Sequence, residues 1–275
     1  MTQLVPGQSL SEALPEAAGI KACCAQLYES DWARWLLGDS FHPGGLALTE
    51  TLGLQLGLQA GQRVLDVAAG QGTSALFLAQ RFGCDVLGVE YSGQAVSQAT
   101  AAARAAGLGD RVRFELGDAE ALPVESGAFD AVICECGFCT FPDRTAAARG
   151  FARCLRAGGR VGLSDLTRTG RLPEGLNTLL AWIACIAAAQ PIEGYQADLE
   201  SAGLEMRQVE RYDEALLSMI ESVRLRLMGA ELMVRLKRLD LGGVDFEQAR
   251  ILARLATECA QDGRLGYALL VAGKP

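Results

Sequence analysis

Three cysteines lie close together in this sequence, at Cys134, Cys136 and Cys139, with the spacing C-x-C-x-x-C. They stand at the end of an apolar stretch, residues 129–134, that has the pattern of a buried strand. Three thiols at one point are more than packing needs, and thiolates select soft, thiophilic centres. A structural zinc site would more commonly use two C-x-x-C pairs. The group therefore predicts a site for a thiophilic substrate.

A second group of residues is a glycine loop that an acid precedes. Asp66 lies four residues before Gly70, and Gly72 follows in the run Gly70-Gln71-Gly72. Small residues let the backbone bend sharply and approach a ligand closely. The dinucleotide fingerprint G-x-G-x-x-G would have its third glycine at position 75, where this chain has Ala75, which that pattern sometimes accepts. The glycines alone therefore do not separate the possible ligands, and Asp66 is the residue that does.

Composition excludes several classes of protein. The chain has 275 residues, half of them hydrophobic, and 32 glycines, which excludes disorder for its bulk and favours one large domain. The 25 basic residues against 33 acidic ones argue against a nucleic-acid partner. A single histidine, His42, argues against His-rich zinc sites and most serine-hydrolase triads. It precedes Pro43-Gly44-Gly45 and is interpreted as an ordinary loop residue rather than a cap on a cofactor site.

The nine cysteines and the apolar runs indicate a compartment. Nine is an odd number, and a chain of this size needs no disulfides, so we expect reduced thiols and a cytoplasmic protein. Cys84, Cys154 and Cys259 fall in helix and sheet patterns and are predicted to pack in the core. No secretory signal is visible in residues 1–21, and the uncharged stretch 175–192 is too interrupted to cross a membrane.

The elements that must position these residues alternate between strand and helix. Such alternation is typical of βαβ units and predicts a doubly wound, mostly parallel α/β sheet. The predicted strands are 63–67, 85–90, 112–116, 129–134, 160–166, 205–211 and 267–272, which makes the sheet seven-stranded. Helices are predicted at 20–37, 46–56, 74–82, 93–106, 144–155, 176–189 and 195–202, and through most of 214–261.

These elements suggest a division of the chain. Residues 1–45 form an N-terminal helical arm, and 46–211 form a ligand-binding core. A helical insertion, 212–263, precedes the last core strand in 264–275.

Three motifs occur in order along the predicted core. Asp66 and its glycines follow the first strand, Glu90 ends the second, and Gly117-Asp118-Ala119-Glu120 follows the third. Over about residues 45–170 this order resembles the class I S-adenosylmethionine-dependent methyltransferases, which have a Rossmann-like fold. An NAD enzyme would also use Glu90, but hydride transfer needs a placed proton donor, and no Tyr-x-x-x-Lys occurs.

The resemblance implies S-adenosyl-L-methionine as the cofactor and assigns residues to it. Glu90 would bind the ribose hydroxyls through charge-assisted hydrogen bonds, and Asp118 with the backbone N–H of Ala119 would bind the adenine. The whole set implied for the cofactor is Asp66, Ala68, Gly70, Gly72, Glu90, Tyr91, Asp118, Ala119 and Glu135.

A narrower resemblance concerns the methyl acceptor. The segment 130–136, with Gly158-Gly159 and Ser164-Asp165 further on, resembles arsenite methyltransferases. This implies that Cys136 and Cys185 bind trivalent arsenic as the substrate. Cys134, Cys139, Cys23 or Cys24 would be the third ligand. Arsenic carries a lone pair, so no general base is needed, whereas thiolate formation would call for a lowered cysteine pKa.

Two other functions stay open from the sequence. The chain is also compatible with a methyltransferase of an organic small molecule in which the cysteines are incidental. A non-enzymatic, thiol-based metalloid sensor is the third possibility, although the intact cofactor motifs argue against it. In the leading hypothesis the partners are a metalloid or small-molecule substrate and a thiol reductant, without nucleic acid or membrane.

Overall fold

The computed structural model describes Lys21, Leu36, Gly38 and residues 41–176, 181, 185–236 and 245–275. The predicted helix at 20–37 lies almost wholly outside these residues, as do Cys23 and Cys24 and part of the predicted helix at 176–189.

One seven-stranded sheet organises the described chain. Its strands are β1 (Arg63–Val67), β2 (Asp85–Glu90), β3 (Val112–Leu116), β4 (Phe129–Glu135), β5 (Leu155–Arg168), β6 (Glu205–Arg211) and β7 (Leu265–Gly273). They lie in the order β3-β2-β1-β4-β5-β7-β6, and β7 is antiparallel to both of its neighbours while the other pairs are parallel. The predicted fold class is therefore confirmed.

Seven α-helices of the described residues connect or flank these strands. They are α1 (Gly45–Gln55), α2 (Thr73–Phe82), α3 (Gly93–Ala105), α4 (Arg144–Cys154), α5 (Ile192–Ser201), α6 (Asp213–Arg235) and α7 (Phe246–Gln261). Side chains cap three of them: Ser92, Asp143 and Asp245 accept the backbone N–H three residues on. None of the described helices combines the length and apolar character that a membrane span requires.

The core lies on both faces of the central strands. β1, β4 and β7 are almost wholly buried, so they read as nearly continuous apolar runs, as expected for strands with helices on both sides. Because β1, β2, β3 and β4 are parallel, their carboxyl ends meet at one edge of the sheet. That edge holds the motifs that the sequence singled out.

Two predicted elements differ from the structure. The helix predicted through 189 is wrong at its end, because residues 185–188 form a turn and Cys185 has a φ of 62°. β5 starts at Leu155 instead of 160, since an irregularity in its pairing with β4 accommodates Gly158-Gly159 within the strand. Two helices, α6 and α7, lie between β6 and β7. The fourfold division of the chain stays a prediction.

Candidate active site

A pocket opens at the carboxyl ends of β1, β2, β3 and β4. Eight of the nine residues predicted for the cofactor line it: Asp66, Ala68, Gly70, Glu90, Tyr91, Asp118, Ala119 and Glu135. Four of these are acids, so the pocket has a strongly acidic wall. Lys21, His42 and Cys136 also line it. The ends of parallel strands are where open α/β sheets bind their ligands.

The glycine loop after β1 turns through left-handed backbone conformations, which few residues other than glycine adopt. Gly70 and Gly72 have φ of 53° and 79°, and Ala68 has a φ of 60°. A Cβ on Gly70 would meet no atom within 4 Å, so this glycine borders open space. Gly72 is the exception among the predicted residues, because it does not line the pocket. Gly72 instead makes the turn into α2. A Cβ at this position would overlap the ring of Phe114.

The acids of β2 and of the loop after β3 are held by hydrogen bonds. The Glu90 carboxylate accepts the N–H groups of Gly70 and Ser92, both at 2.9 Å. Asp118 accepts the N–H of Glu120 at 3.0 Å and pairs with Lys21 Nζ at 2.7 Å. No motif in the sequence pointed to Lys21, because the acids it contacts are about a hundred residues away.

Asp66 differs from these acids in having one carboxyl oxygen without such a bond to any described residue. It is 3% exposed, and among the described residues its Oδ2 atom has no hydrogen bond. Burial, and then the nearby charges of Glu135 and Glu90, raise the pKa of this carboxyl well above its usual range. A buried carboxyl oxygen without a donor is costly, so the arrangement suits a ligand that brings one.

Glu135 is the most constrained acid of the pocket. Its carboxylate accepts the hydroxyl groups of Ser74 at 2.6 Å and Thr49 at 3.0 Å, and His42 Nε2 lies 3.5 Å away. His42 is buried and lines the pocket, so the interpretation of an ordinary loop residue is wrong. The sequence signal for this role of Glu135 is the pair of hydroxyl residues on α1 and α2, at the positions where these helices face the strand ends.

The predicted thiol site has two cysteines at its centre. Cys136 directly follows β4, and its Sγ lies 3.8 Å from Cys185 Sγ. The Cys185 thiol also donates to the Cys136 carbonyl at 3.3 Å. Both residues have left-handed backbone, with φ of 55° and 62°. Such conformations are uncommon for residues other than glycine and cluster at functional sites.

The turn that carries Cys185 is fastened to the sheet. The N–H of Arg168, at the end of β5, donates to the Gln190 carbonyl at 3.0 Å, and its Nε donates to the Ala189 carbonyl at 2.7 Å. The Tyr195 hydroxyl donates to the Leu166 carbonyl at 2.6 Å and accepts the Gln190 N–H. These bonds hold Cys185 against the end of β4 although 49 residues separate it from Cys136.

Cys134 and Cys139 are fully buried behind this pair. The Cys139 thiol is hydrogen-bonded to that of Cys185, whereas Cys134 interacts with Cys185 through its charge alone. The lowered cysteine pKa that the sequence analysis expected for thiolate ligation is not found at these three residues. The hydrogen bond with Cys185 and burial raise the pKa of Cys136, and burial raises the pKa of Cys134 and Cys139. The free protein therefore carries these three as thiols.

Comparison with known proteins gives this site a context. A model of the methyltransferase domain matches residues 64–159. Methyltransferase GfsG of Streptomyces halstedii is 31% identical over 247 residues, which cover 86% of this chain and 83% of that protein. The chain belongs to the S-adenosylmethionine-dependent methyltransferases. This confirms the predicted class I family, the enzyme class and the cofactor.

Two further relatives differ in what their names say they act on. The 27-O-demethylrifamycin SV methyltransferase of Amycolatopsis mediterranei (strain S699) is 31% identical to this methyltransferase over 232 residues, which cover 83% of each chain. Arsenite methyltransferase of Halobacterium salinarum (strain ATCC 700922 / JCM 11081 / NRC-1) is 28% identical over 210 residues, covering 73% of this chain and 54% of that protein.

A solved structure shares the fold. Phosphoethanolamine N-methyltransferase 2 of Haemonchus contortus, in complex with S-adenosyl-L-methionine, superposes with a TM-score of 0.78 at 20% identity. The match covers 93% of this methyltransferase and 60% of that chain. The acidic pocket also suits S-adenosylmethionine chemically. The ammonium group, the ribose hydroxyls and the adenine amino group of this cofactor all donate hydrogen bonds, which carboxylates accept.

Proposed function

We propose that this methyltransferase methylates trivalent arsenic, which Cys136 and Cys185 hold as the substrate. One observation carries the proposal: the two sulfurs lie 3.8 Å apart, and Cys136 lines the same pocket as Asp66, Glu90 and Asp118. A pair of thiols thus adjoins the acids that suit the cofactor. A methyl acceptor bound there would be held beside the cofactor, and positioning of two reactants is a large part of catalysis.

The two thiols lie in hydrogen-bond contact, at a separation close to that of two ligands on one atom. Sulfurs bound to pyramidal trivalent arsenic at about 2.3 Å lie roughly 3.3–3.5 Å apart, and those on a tetrahedral centre lie roughly 3.8 Å apart. A disulfide would need about 2.05 Å. The seven described cysteines are all free, which agrees with an environment that keeps thiols reduced. We therefore extend the proposal to a cytoplasmic enzyme supplied with a thiol reductant.

The raised pKa values fit an exchange in which arsenite supplies its own base. Arsenite carries three hydroxyl groups on arsenic. As each thiol forms its S–As bond, one As–O bond breaks and the thiol proton leaves with that hydroxide as water. Two waters are released and the arsenic keeps one hydroxyl. No thiolate is needed beforehand, so burial of Cys136 does not oppose binding.

For the cofactor we propose the residues that line the pocket. Glu90 accepts the ribose hydroxyls, Asp118 and the Ala119 N–H bind the adenine, and Asp66 with Glu135 accepts the ammonium. When bound, S-adenosylmethionine supplies a methyl group activated by its sulfonium. The remaining residues of the set, Ala68, Gly70 and Tyr91, shape the wall. Since trivalent arsenic carries a lone pair, the chain need not remove a proton from the acceptor.

The test combines binding and turnover in matched variants. Purified enzyme with a reductant, arsenite and methyl-labelled S-adenosylmethionine should release labelled methylated arsenic. Cys136→Ser and Cys185→Ser should each lower the affinity for arsenite at least tenfold and abolish the product. Cys154→Ser, at a buried cysteine at the end of α4, is the control and should leave both unchanged. Unchanged arsenite affinity in both site variants contradicts the proposal.

A second candidate function, methylation of a hydroxyl on an organic small molecule, rests on the position of His42. His42 is buried in the pocket beside Glu135, and its Nδ1 lies 3.2 Å from the Pro43 carbonyl, a contact that only an Nδ1–H makes favourable. Nε2 would then carry the lone pair, 3.4 Å from the Thr49 hydroxyl oxygen and 3.5 Å from Glu135, and would take the proton from the hydroxyl of an organic acceptor. The rifamycin methyltransferase relative bears the name of such a substrate.

The two functions respond differently to substitution. Methylation of a hydroxyl that uses His42 should fall at least a hundredfold in His42→Gln and survive Cys136→Ser. Arsenic methylation should show the reverse order of sensitivity. Assaying both variants with arsenite and with a panel of phenolic and alcoholic acceptors separates them.

A further inference from the structure

Asp165 joins the two cysteines in a cluster that the proposed arsenic chemistry does not use. One ligand atom from each of Cys136, Asp165 and Cys185 can be chosen so that all three lie within 4.8 Å of one another. Asp165 is fully buried in β5, and Cys185 is 1% exposed. A buried carboxylate beside two thiols has no role in binding trivalent arsenic through sulfur alone.

The carboxylate of Asp165 is held in place by backbone donors. Its Oδ2 accepts the Cys139 N–H at 2.8 Å, and its Oδ1 accepts the Leu166 N–H at 2.9 Å. Each oxygen has a second lone pair, so both bonds leave it able to coordinate. Hydrogen bonds of this kind orient the ligands of metal sites. The carboxylate is therefore positioned in advance.

The cysteines are positioned as well. Cys136 and Cys185 both have left-handed backbone, and the 3.8 Å separation of their sulfurs matches neighbouring ligands of a tetrahedral ion. Two sulfurs and one oxygen are a donor set that borderline and soft divalent cations accept. Three protein ligands leave a fourth position, as in catalytic zinc sites.

We propose that Cys136, Cys185 and Asp165 bind one divalent cation, Zn²⁺ or Cd²⁺, with the fourth position reached from the pocket that Cys136 lines. Binding releases the two thiol protons to solvent, and near neutral pH it also releases the proton of Asp165, because burial raises the pKa of that carboxyl to about 8. Because the cation takes both sulfurs, it excludes arsenite from them. Asp165 separates the two ligands: the cation uses its oxygen, and trivalent arsenic does not. The inference does not depend on which acceptor the enzyme methylates.

The experiment titrates the full chain with Cd²⁺ in the presence of a phosphine reductant and follows the thiolate-to-cadmium absorption band. Wild-type enzyme should bind one Cd²⁺, and added Zn²⁺ should displace it. Asp165→Asn should weaken Cd²⁺ binding at least tenfold. Cys136→Ser and Cys185→Ser should remove the band, while Cys154→Ser should match the wild type. Wild-type affinity for Cd²⁺ in Asp165→Asn, or a full band in either cysteine variant, overturns the site.

Arsenite binding by the same variants supplies the second measurement. Asp165→Asn should keep its arsenite affinity within about threefold of wild type, which also shows that its thiol pair is still assembled. Equal losses of arsenite and Cd²⁺ affinity would overturn the assignment of Asp165 as a metal ligand. If wild-type enzyme binds Cd²⁺ as described but produces no methylated arsenic, the arsenic function fails and the metal site stands.

Discussion

The ammonium group of Lys21 lies 2.7 Å from the Asp118 carboxylate, although 97 residues separate the two in sequence. The same ammonium pairs with Glu120 at 2.6 Å. Burial alone would lower the pKa of Lys21, but its hydrogen bonds to these two acids raise it overall. A residue from the N-terminal part of the chain thus occupies a carboxylate that we propose for the adenine.

The Lys21–Asp118 pair should contribute a measurable coupling energy. All three side chains are partly shielded from water, with exposures of 14% for Lys21, 34% for Asp118 and 15% for Glu120. We expect a double-mutant cycle of Lys21→Met and Asp118→Asn to give a coupling of about 1 kcal/mol in the free energy of unfolding, falling in high salt. Urea unfolding of the four proteins measures it. Strictly additive effects would show that the pair adds nothing.

Asp66 should destabilise the free enzyme as pH rises. Its pKa is raised in the folded state, so the native protein retains a proton that the unfolded chain loses above pH of about 4. The protonated form therefore stabilises the protein at low pH. This stabilisation is lost as the pH rises above about 4, by as much as about 1.4 kcal/mol per pH unit. Asp66→Asn should flatten this dependence and weaken the cofactor about tenfold.

Urea unfolding of cofactor-free wild type and Asp66→Asn at pH 5, 6 and 7 measures the difference. The variant should gain stability relative to wild type at each step. Parallel pH profiles would show that Asp66 does not titrate in this range. Cofactor affinity, measured by calorimetry, should fall in the same variant, so stability and binding move in opposite directions.

Gly70 and Gly72 should fail in different ways when replaced by alanine. Both have positive φ, which costs about 1 kcal/mol for a residue with a Cβ. At Gly72 the Cβ also overlaps the Phe114 ring, so Gly72→Ala should lose about 2–4 kcal/mol of unfolding free energy. At Gly70 the space is open, so Gly70→Ala should lose about 1 kcal/mol and mainly weaken the cofactor. Similar stability in both variants would contradict the packing argument.

Glu135 should be important for the attachment of α1 and α2 to the sheet. Its carboxylate accepts hydroxyl hydrogens from Thr49 and Ser74. Glu135→Ala would leave the buried Thr49 hydroxyl and the partly buried Ser74 hydroxyl without this acceptor and should cost about 2–4 kcal/mol, whereas Glu135→Gln keeps one acceptor oxygen and should cost less. Glu125→Gln, at an exposed acid, is the control. Thermal unfolding ranks the three, and an Ala variant as stable as the Gln variant would refute this role.

Features of the fold and the site that depend on residues close in sequence could be predicted. The strands and the order of the motifs follow from local periodicity, and the class I fold from that order. The Asp66, Glu90 and Asp118 positions at one edge follow because parallel strands end together. The resemblance paired Cys185 with Cys136, and their sulfurs lie 3.8 Å apart. The helix predicted around Cys185 was wrong, since hydrogen bonds from Arg168 and Tyr195 hold that segment as a turn.

Features that depend on long-range packing were not predictable. Lys21 and His42 reach the pocket from segments outside the strand–helix alternation, so no periodicity points to them. The raised cysteine pKa values were also missed, because burial and neighbouring acids decide them. The role of Gly72 in making room for Phe114, 42 positions on in the sequence, is likewise a property of the assembled sheet.

The position of β7 determines when the sheet can be completed during synthesis. Its nine residues are all buried, and it lies between β5 and β6, although it is made after both. Until the ribosome has released Leu265–Gly273, β5 has no neighbour on that side and β6 has none at all. Nascent chains therefore expose two unpaired strand edges until β7 has been made, and such edges pair readily with other chains.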